Sequence, residues 1–302
     1  MSSTADAQPL PADKDPARDA AGLIEHSDGF GAEPWGTYRP DLISRSLLAL
    51  TRHTPLGRGR MRGHIHAMLQ ARHPGPMDCE LYGQPMRAYL GGNRCEWKAV
   101  LNPAQFDPEE RRLIAEAINK PKAVLLDIGA NVGVHALAAA NHVRPDARII
   151  AFEPHPATYG RLAFNLSINP FKGFVAMPVA LGAEEGHATM SGDDLSLSTL
   201  AIPGEGPRVR VRPLITCLAE LGIEHIDVMK IDVEGFEPEV LRPFLAAAPD
   251  ALVPRMVIIE HFPAYSWDYD CIAALGKRGL EVVARYGNNA ILRMRDRQAA
   301  GA

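Results

Sequence analysis

An α/β fold built on a mostly parallel, seven-stranded sheet follows from three features of this 302-residue sequence. From residue 123 onward, short apolar segments rich in Val and Ile alternate with segments of helical periodicity, the pattern of a parallel sheet covered on both faces. Two of those strand-like segments, AVLLD at 123–127 and RIIAFE at 148–153, end in an acid followed by a turn or a proline. The last two are joined by GNNA at 287–290, a tight turn, so the sheet is expected to close in a C-terminal antiparallel hairpin.

Taken in order, residues 1–40 are rich in Ala, Asp, Pro and Gly with few apolar anchors and read as a disordered tail. Residues 41–104 form an N-terminal extension, helical and β, ahead of the main domain at 105–302. Between Leu42 and Met77 there is no acid, while Arg45, Arg52, Arg58, Arg60, Arg62, Arg72 and the histidines His53, His64, His66 and His73 fall there. Such a run can serve as a patch for phosphate or a lipid headgroup, but a solvated helical arm packed on the core is the plainer reading. His64 and His66 are too close for one helical face and lack a carboxylate or thiolate partner, which argues against a metal site. Gly83 and Gly91-Gly92 punctuate 78–101 as a small β hairpin.

FDPEERRLIAEAI at 106–118 reads as a helix, with Asp107 as N-cap, Pro108 at the first position and acids in the first turn. Strands are expected at 123–127, 147–153, 174–181, 226–233, 255–260, 281–286 and 289–294. Tyr159, Leu162, Ala163 and Leu166 recur at helical spacing and mark a helix between the second and third strands. The turn-rich residues 182–212 read as an insertion bordering the site.

Composition narrows the function. A net charge of −4 gives no general pull toward nucleic acid or anionic membrane. Cys79, Cys95, Cys217 and Cys271 are scattered with no CxxC pair, as expected of reduced thiols in a cytoplasmic protein. No basic start followed by an apolar stretch is visible at the N-terminus, and no run approaches the ~20 apolar residues that span a bilayer. Oligomeric state has no signature in the sequence.

The turn after the first strand carries the chemistry. A dinucleotide fold uses three glycines so that pyrophosphate can approach bare amides. Here the pattern is Asp127-x-Gly129-x-Asn131-x-Gly133, with Asn in place of one glycine; Asn tolerates the left-handed region, so the turn stays tight. An acid at the strand end would repel a phosphate and complement a cation. S-adenosylmethionine, a sulfonium with no pyrophosphate, fits that demand. Glu153, at the tip of the next strand, is placed to accept both ribose hydroxyls. A helix cap for Asp127 and a surface acid for Glu153 are the plainer alternatives.

In HIDVMKIDVEGFEPEVL at 225–241, a period of two places Lys230, Asp232 and Glu234 on one side and Met229, Ile231 and Val233 on the other. A lysine buried in a central strand needs an acid beside it, and Asp232 or Glu260 can provide one. For Lys230 a structural ion pair is the preferred reading; for Asp232, nearer the rim, a functional one.

LLDIGANVGVHALAAA, IIAFEPHPATYGRLAFNLSIN, VALG and VMKIDVEGFEPEVL followed by VIIEH resemble the FkbM family of S-adenosylmethionine-dependent methyltransferases, over roughly residues 105–295. The resemblance implies a class I (Rossmann-like) methyltransferase sheet that binds S-adenosyl-L-methionine, and O-methylation of a saccharide, polyketide or other secondary metabolite. It places Asp127, Gly129, Asn131, Gly133, Glu153 and, through VALG, Ala180 around the donor, with Asp232 and Glu234 at the reaction mouth. Family members carry Leu-Asp-Asp shortly before KIDVEG, where this chain has Leu214-Ile215-Thr216.

An alcohol acceptor must lose a proton, so Asp232, Glu234 and His261 are the candidate bases, with Glu260 behind them. His135 reads as a helix-start contact. Asp232, Glu234 and Glu260 could also hold a divalent cation, although Lys230 can neutralise the same charge. Two rivals differ in kind. A nicotinamide-dependent oxidoreductase would need the third loop glycine, and in the short-chain class a Tyr-x-x-x-Lys pair; Tyr159 and Tyr265 are followed four residues on by Ala163 and Tyr269. A non-catalytic S-adenosylmethionine-binding module recruited through the Arg-rich arm is the other.

Overall fold

The computed structural model describes residues 33–191, 199–201, 206–261 and 267–295. The N-terminal extension contributes α1 (Leu42–His53), α2 (Gly59–Arg72), β1 (Pro76–Leu81), β2 (Gln84–Tyr89) and α3 (Arg94–Leu101). The main domain follows with α4 (Pro108–Ile118), β3 (Val124–Ile128), α5 (Val134–Ala140), β4 (Arg148–Phe152), α6 (Pro156–Ser167) and β5 (Phe174–Met177). Then come β6 (Val179–Leu181), β7 (Gly186–Ser191), β8 (Thr199–Ala201), β9 (Arg208–Arg212) and α7 (Leu214–Glu220). The chain continues through β10 (Val228–Ile231), α8 (Glu237–Ala247), β11 (Met256–Glu260), α9 (Cys271–Lys277), β12 (Leu280–Tyr286) and β13 (Asn289–Met294).

Seven strands form the main sheet in the order β12-β13-β11-β10-β3-β4-β5. All pairings are parallel except β11–β13 and β12–β13, so the C-terminal hairpin is antiparallel as expected. This is the class I methyltransferase arrangement, and the order reverses between β3 and β10, where open α/β sheets bind ligands. Strand alternation divides the core into two layers. Leu125, Ile149, Val228 and Ile258 pack with α4, α5 and α6 on one face. Leu126, Ile150, Met229 and Ile259 pack with α7, α8 and α9 on the other.

The structure redraws three boundaries. The strand expected over 174–181 breaks at Pro178, which cannot donate to a ladder: β5 pairs with β4, while β6 opens a second, four-stranded sheet of order β6-β9-β7-β8. The expected insertion at 182–212 supplies β7, β8 and β9 of that sheet; residues 192–198 and 202–205 lie outside the described residues. The hairpin expected across 78–101 ends at Tyr89, and RCEWKAVL forms α3, started by the Asn93 side chain accepting from the Glu96 amide at 3.0 Å. Asn93 with Glu96 three residues on is a capping signal that the double glycine before it obscured.

The tail expected over 1–40 overlaps the described residues at 33–40. Residues 1–32 lie outside the described residues, but the amides of Gly36 and Tyr38 donate to Asp78 Oδ2 at 2.7 and 3.0 Å. Arg87 ties this segment down, donating to Asp78 at 2.7 Å and to the carbonyls of Glu33 and Pro34. Leu48, Ile65, Leu69, Met77 and Met86 join the same core as the first sheet face, so the extension is a layer of the domain. Among the described residues no helix is long and apolar enough to cross a membrane.

The Arg87 and Asp78 side chains are 2% and 0% exposed. Arg87→Ala should therefore lower the unfolding free energy by about 3–5 kcal/mol, because it strands a buried carboxylate; urea denaturation measures this.

Candidate active site

The turn between β3 and α5 is closed by its own neighbours. Gly129 has φ +77, and a Cβ there would stand 1.8 Å from the carbonyl oxygen of Asp232, so no side chain fits. Asn131 takes the left-handed conformation expected of it, with φ 51. The amides of Gly129 and Ala130 both donate to the Phe152 carbonyl at 3.0 Å, and that of Gly133 to Ala130 at 2.9 Å. The Asn131 amide donates to Glu153 Oε2 at 3.0 Å, and the Val132 amide to the Asn131 side chain at 2.9 Å. Every amide from 129 to 133 is thus engaged within the protein, leaving no cradle for a pyrophosphate.

A cleft of about 780 Å³ of atom-free space, its open mouth included, lies against this turn. Its walls are apolar (Ile128, Phe152, Val179, Leu181, Met190 and Val240), and Gly129, Asn131, Glu153 and Ala180 also line it. Glu153 is 6% exposed and is held from behind by the Asn131 and His155 amides. Burial pushes its pKa up to about 7; the two amides pull it back, and nearby Asp127 adds to the rise.

Asp127 and Gly133 do not reach this surface. Strand parity turns Asp127 toward the layer of α5, where it is 1% exposed and neither carboxylate oxygen meets a hydrogen-bond partner. Burial pushes it up to about 6; Lys230, opposite it in the β3–β10 register, holds it down, and Asp232 adds to the rise. Its position is that of a helix-start acid beneath the turn. Lys230 Nζ lies 3.1 Å from Asp232 Oδ2. Burial alone would lower the Lys230 pKa, but Asp232, Asp127 and Glu110 outweigh it and raise it, so the lysine is cationic.

A wider cleft, about 1610 Å³ of atom-free space with its mouth, opens on the other side of Asp232. The two share Cys95, Gly129, Asn131 and Asp232, which places Asp232 at their junction. Asp232, Glu234 and Glu260 each bring a carboxylate oxygen within 4.8 Å of the others. Burial, then Asp232 and Glu234, push Glu260 well above the usual carboxylate range. Strand β10 stops at Ile231, so Glu234 is aimed by a left-handed turn residue, φ 54, and not by the pleat that the period of two implied.

His261 donates its amide to the Asn288 carbonyl at 2.7 Å and sets its ring edge-on to Trp267 at 5.4 Å. It lines neither cleft. Cys95 lines both clefts without a signal in the sequence, where the double glycine ahead of α3 points to β structure. Asp107, Glu110 and His135, helix-start residues by sequence, all line the wider cleft. Burial, with Lys230 and Arg111, holds the His135 imidazole well below its ordinary pKa. Leu214, where the resemblance leads one to expect the start of Leu-Asp-Asp, opens α7 and is buried in the core.

Comparison with known proteins places this geometry. Residues 127–288, more than half of the 302-residue chain, match the Methyltransferase FkbM domain, and the chain belongs to that family. It is 30% identical over 161 residues to the AMB antimetabolite synthetase AmbE of Pseudomonas aeruginosa, a match covering 40% of this chain and 8% of the synthetase. It is 29% identical over 194 residues to the hexuronic acid methyltransferase AglP of Haloferax volcanii, covering 61% of this chain and 74% of that protein. It is also 29% identical over 201 residues to the 31-O-demethyl-FK506 methyltransferase FkbM of Streptomyces tacrolimicus, covering 55% and 75%.

The buried acids set a pH dependence. Glu153 and Glu110 titrate near 7 in the folded chain, above their ordinary 4.5. Between these values the folded state holds more protons than the unfolded one, so stability falls as pH rises through the window. Above the ordinary histidine value of 6.5, the depressed His135 and His155 are neutral in both states and drop out. The ligand-free protein should gain thermal stability as pH is lowered from 8 to 6.5, and Glu153→Gln should flatten that slope in thermal scans.

Proposed function

We propose that this chain transfers the methyl group of S-adenosyl-L-methionine to a hydroxyl of a saccharide, polyketide or other small metabolite. The observation that carries the reading is Glu153: a buried carboxylate at the tip of β4, held by two amides from behind and facing an apolar cleft. Adjacent ribose hydroxyls can donate to its oxygens, and the apolar walls suit an adenine. Gly129, Asn131 and Ala180 flank the donor, while Asp127 and Gly133 shape the turn beneath it. The relatives named for a hexuronic acid and for a 31-O-demethyl acceptor favour a hydroxyl on a small molecule or glycan. A cytoplasmic protein with no nucleic-acid partner belongs to the same reading.

Methyl transfer is an in-line displacement: the acceptor oxygen bonds to the methyl carbon as the sulfonium bond breaks and its electron pair stays on sulfur. Alignment and exclusion of water supply most of the rate. The hydroxyl proton passes to a carboxylate at the junction of the clefts. Asp232 is the first choice, since it lines both clefts and Lys230 orients its carboxylate at 3.1 Å, followed by Glu234; His261 stands outside both cleft linings. A magnesium or calcium ion on Asp232, Glu234 and Glu260 would orient the same oxygen by another route.

Calorimetric titration with S-adenosylmethionine tests the donor site. Glu153→Gln should weaken binding by about 10–100-fold, the worth of charge-assisted hydrogen bonds, and a nicotinamide dinucleotide should not bind. Donor hydroxyls favour ionised Glu153, so binding near pH 6.5 should release protons, visible as a dependence of the measured heat on buffer ionisation enthalpy. Asp232→Asn should cut turnover by roughly 10²–10⁴-fold, the usual contribution of a general base, with donor affinity little changed. Tight donor binding with no methylation across sugar and polyketide acceptors would point to a binding module recruited through the Arg-rich arm.

A further inference from the structure

We propose that Asp107, Glu110 and His135 form a binding site for a first-row divalent metal ion, of the manganese-to-zinc series, in the wall of the wider cleft. His135 Nε2 lies 3.5 Å from Asp107 Oδ2 and 4.0 Å from Glu110 Oε2, and all three ligand atoms fall within 4.8 Å of one another. Ligand atoms at 2.0–2.2 Å from a tetrahedral metal stand about 3.4 Å apart. The two edges that meet at His135 Nε2, 3.5 and 4.0 Å, already lie close to that size.

Two orphaned atoms point into it. The His135 and Glu110 side chains are 9% and 4% exposed, and neither His135 Nε2 nor Glu110 Oε2 has a hydrogen-bond partner. A buried polar atom left in that state is costly, and at 4.0 Å the two do not satisfy each other. A cation between them satisfies both. Asp107 holds the N-cap position of α4 without a side-chain cap bond, so its carboxylate is not consumed there. Glu110 is already oriented through its second oxygen, which accepts from Asn289 Nδ2 at 2.6 Å, an outer contact of the kind that steadies a metal ligand.

The local charge favours a cation. Lys230 is engaged with Asp232, and the Arg111 guanidinium is turned to the carbonyls of Phe106 and Pro103 at 2.7 and 3.0 Å. Against Lys230 stand Asp107, Glu110, Asp127, Asp232 and Glu260. One imidazole nitrogen with two carboxylate oxygens suits manganese, iron, cobalt, nickel or zinc; the oxygen-only set of Asp232, Glu234 and Glu260 suits magnesium or calcium. All three ligands line the same cleft as Asp232, so free coordination positions on the ion could take vicinal hydroxyls of an acceptor. That role rests on the methyl-transfer reading. The binding does not.

The test uses the full chain stripped with EDTA and titrated with Mn²⁺, following free ion by electron paramagnetic resonance. One Mn²⁺ per chain is expected, with nitrogen modulation from a single imidazole in the spin-echo spectrum of the unaltered protein. Glu110→Gln and His135→Gln should each weaken binding at least tenfold, whereas Glu234→Gln should keep the original affinity. Failure to bind Mn²⁺ at millimolar concentration, absence of nitrogen modulation, or loss of binding in Glu234→Gln but not in His135→Gln would overturn the assignment. The spin-echo readout needs no variant to fold. Donor binding, measured separately by calorimetry, bears on the methyl-transfer reading alone.

Discussion

One buried ammonium governs the reactive edge of this sheet. Lys230 sits in a central strand, opposite Asp127 and hydrogen-bonded to Asp232, with Glu110 close enough to act on it electrostatically. An isolated charge in such a place would be prohibitively costly. Here it offsets part of a larger negative excess contributed by the ends of β3 and β11, the turn after β10 and the start of α4. The remaining carboxylates keep raised affinities for protons, Asp127 near 6 and Glu110 near 7. A site held in that state gains from any cation that enters it. A sulfonium at the junction of the clefts and a metal ion in the wider one are two ways of meeting the same electrostatic demand.

The glycine-poor turn explains why a fold so often used for dinucleotides is unsuited to them here. Its amides are spent on the Phe152 carbonyl, on Glu153 and on the turn itself. Glu153 consequently does two things: it locks the turn through the Asn131 amide and faces the cleft with the rest of its carboxylate. This couples the shape of the turn to the residue proposed to hold the ribose. Gly129 completes the coupling, because its missing side chain lets the carbonyl of Asp232 press against the turn at the junction of the two clefts.

The extension contributes to the walls of both clefts. Cys95 from α3 lines both clefts, and the Asn93 side chain just ahead of α3 donates to the Asn131 side chain in the turn at 2.7 Å. Arg87 fixes the hairpin to residues 33–34, and its amide donates to the Asn165 side chain in α6 at 2.8 Å.

Most of the main sheet could be read without a structure, because its signals are local. Apolar strand segments, a helix-spaced Tyr159-Leu162-Ala163-Leu166 and a GNNA turn each act within a few residues. The acids at the ends of the first two strand segments were legible for the same reason, and so was the Lys230–Asp232 pair, two positions apart in the sequence. The split at Pro178, the helix over Arg94–Leu101 and the aim of Glu234 were not, because competing local signals pointed elsewhere. Which acids face a cleft was decided by packing between distant segments. Asp127 is turned under a helix, Glu153 is turned into the cavity, and Asp107, Glu110 and His135, up to 28 residues apart along the chain, are gathered into one triangle. Short-range patterns specify elements and the residues at their ends; only the folded layers bring those ends together, since burial and charge compensation act through space and not along the chain.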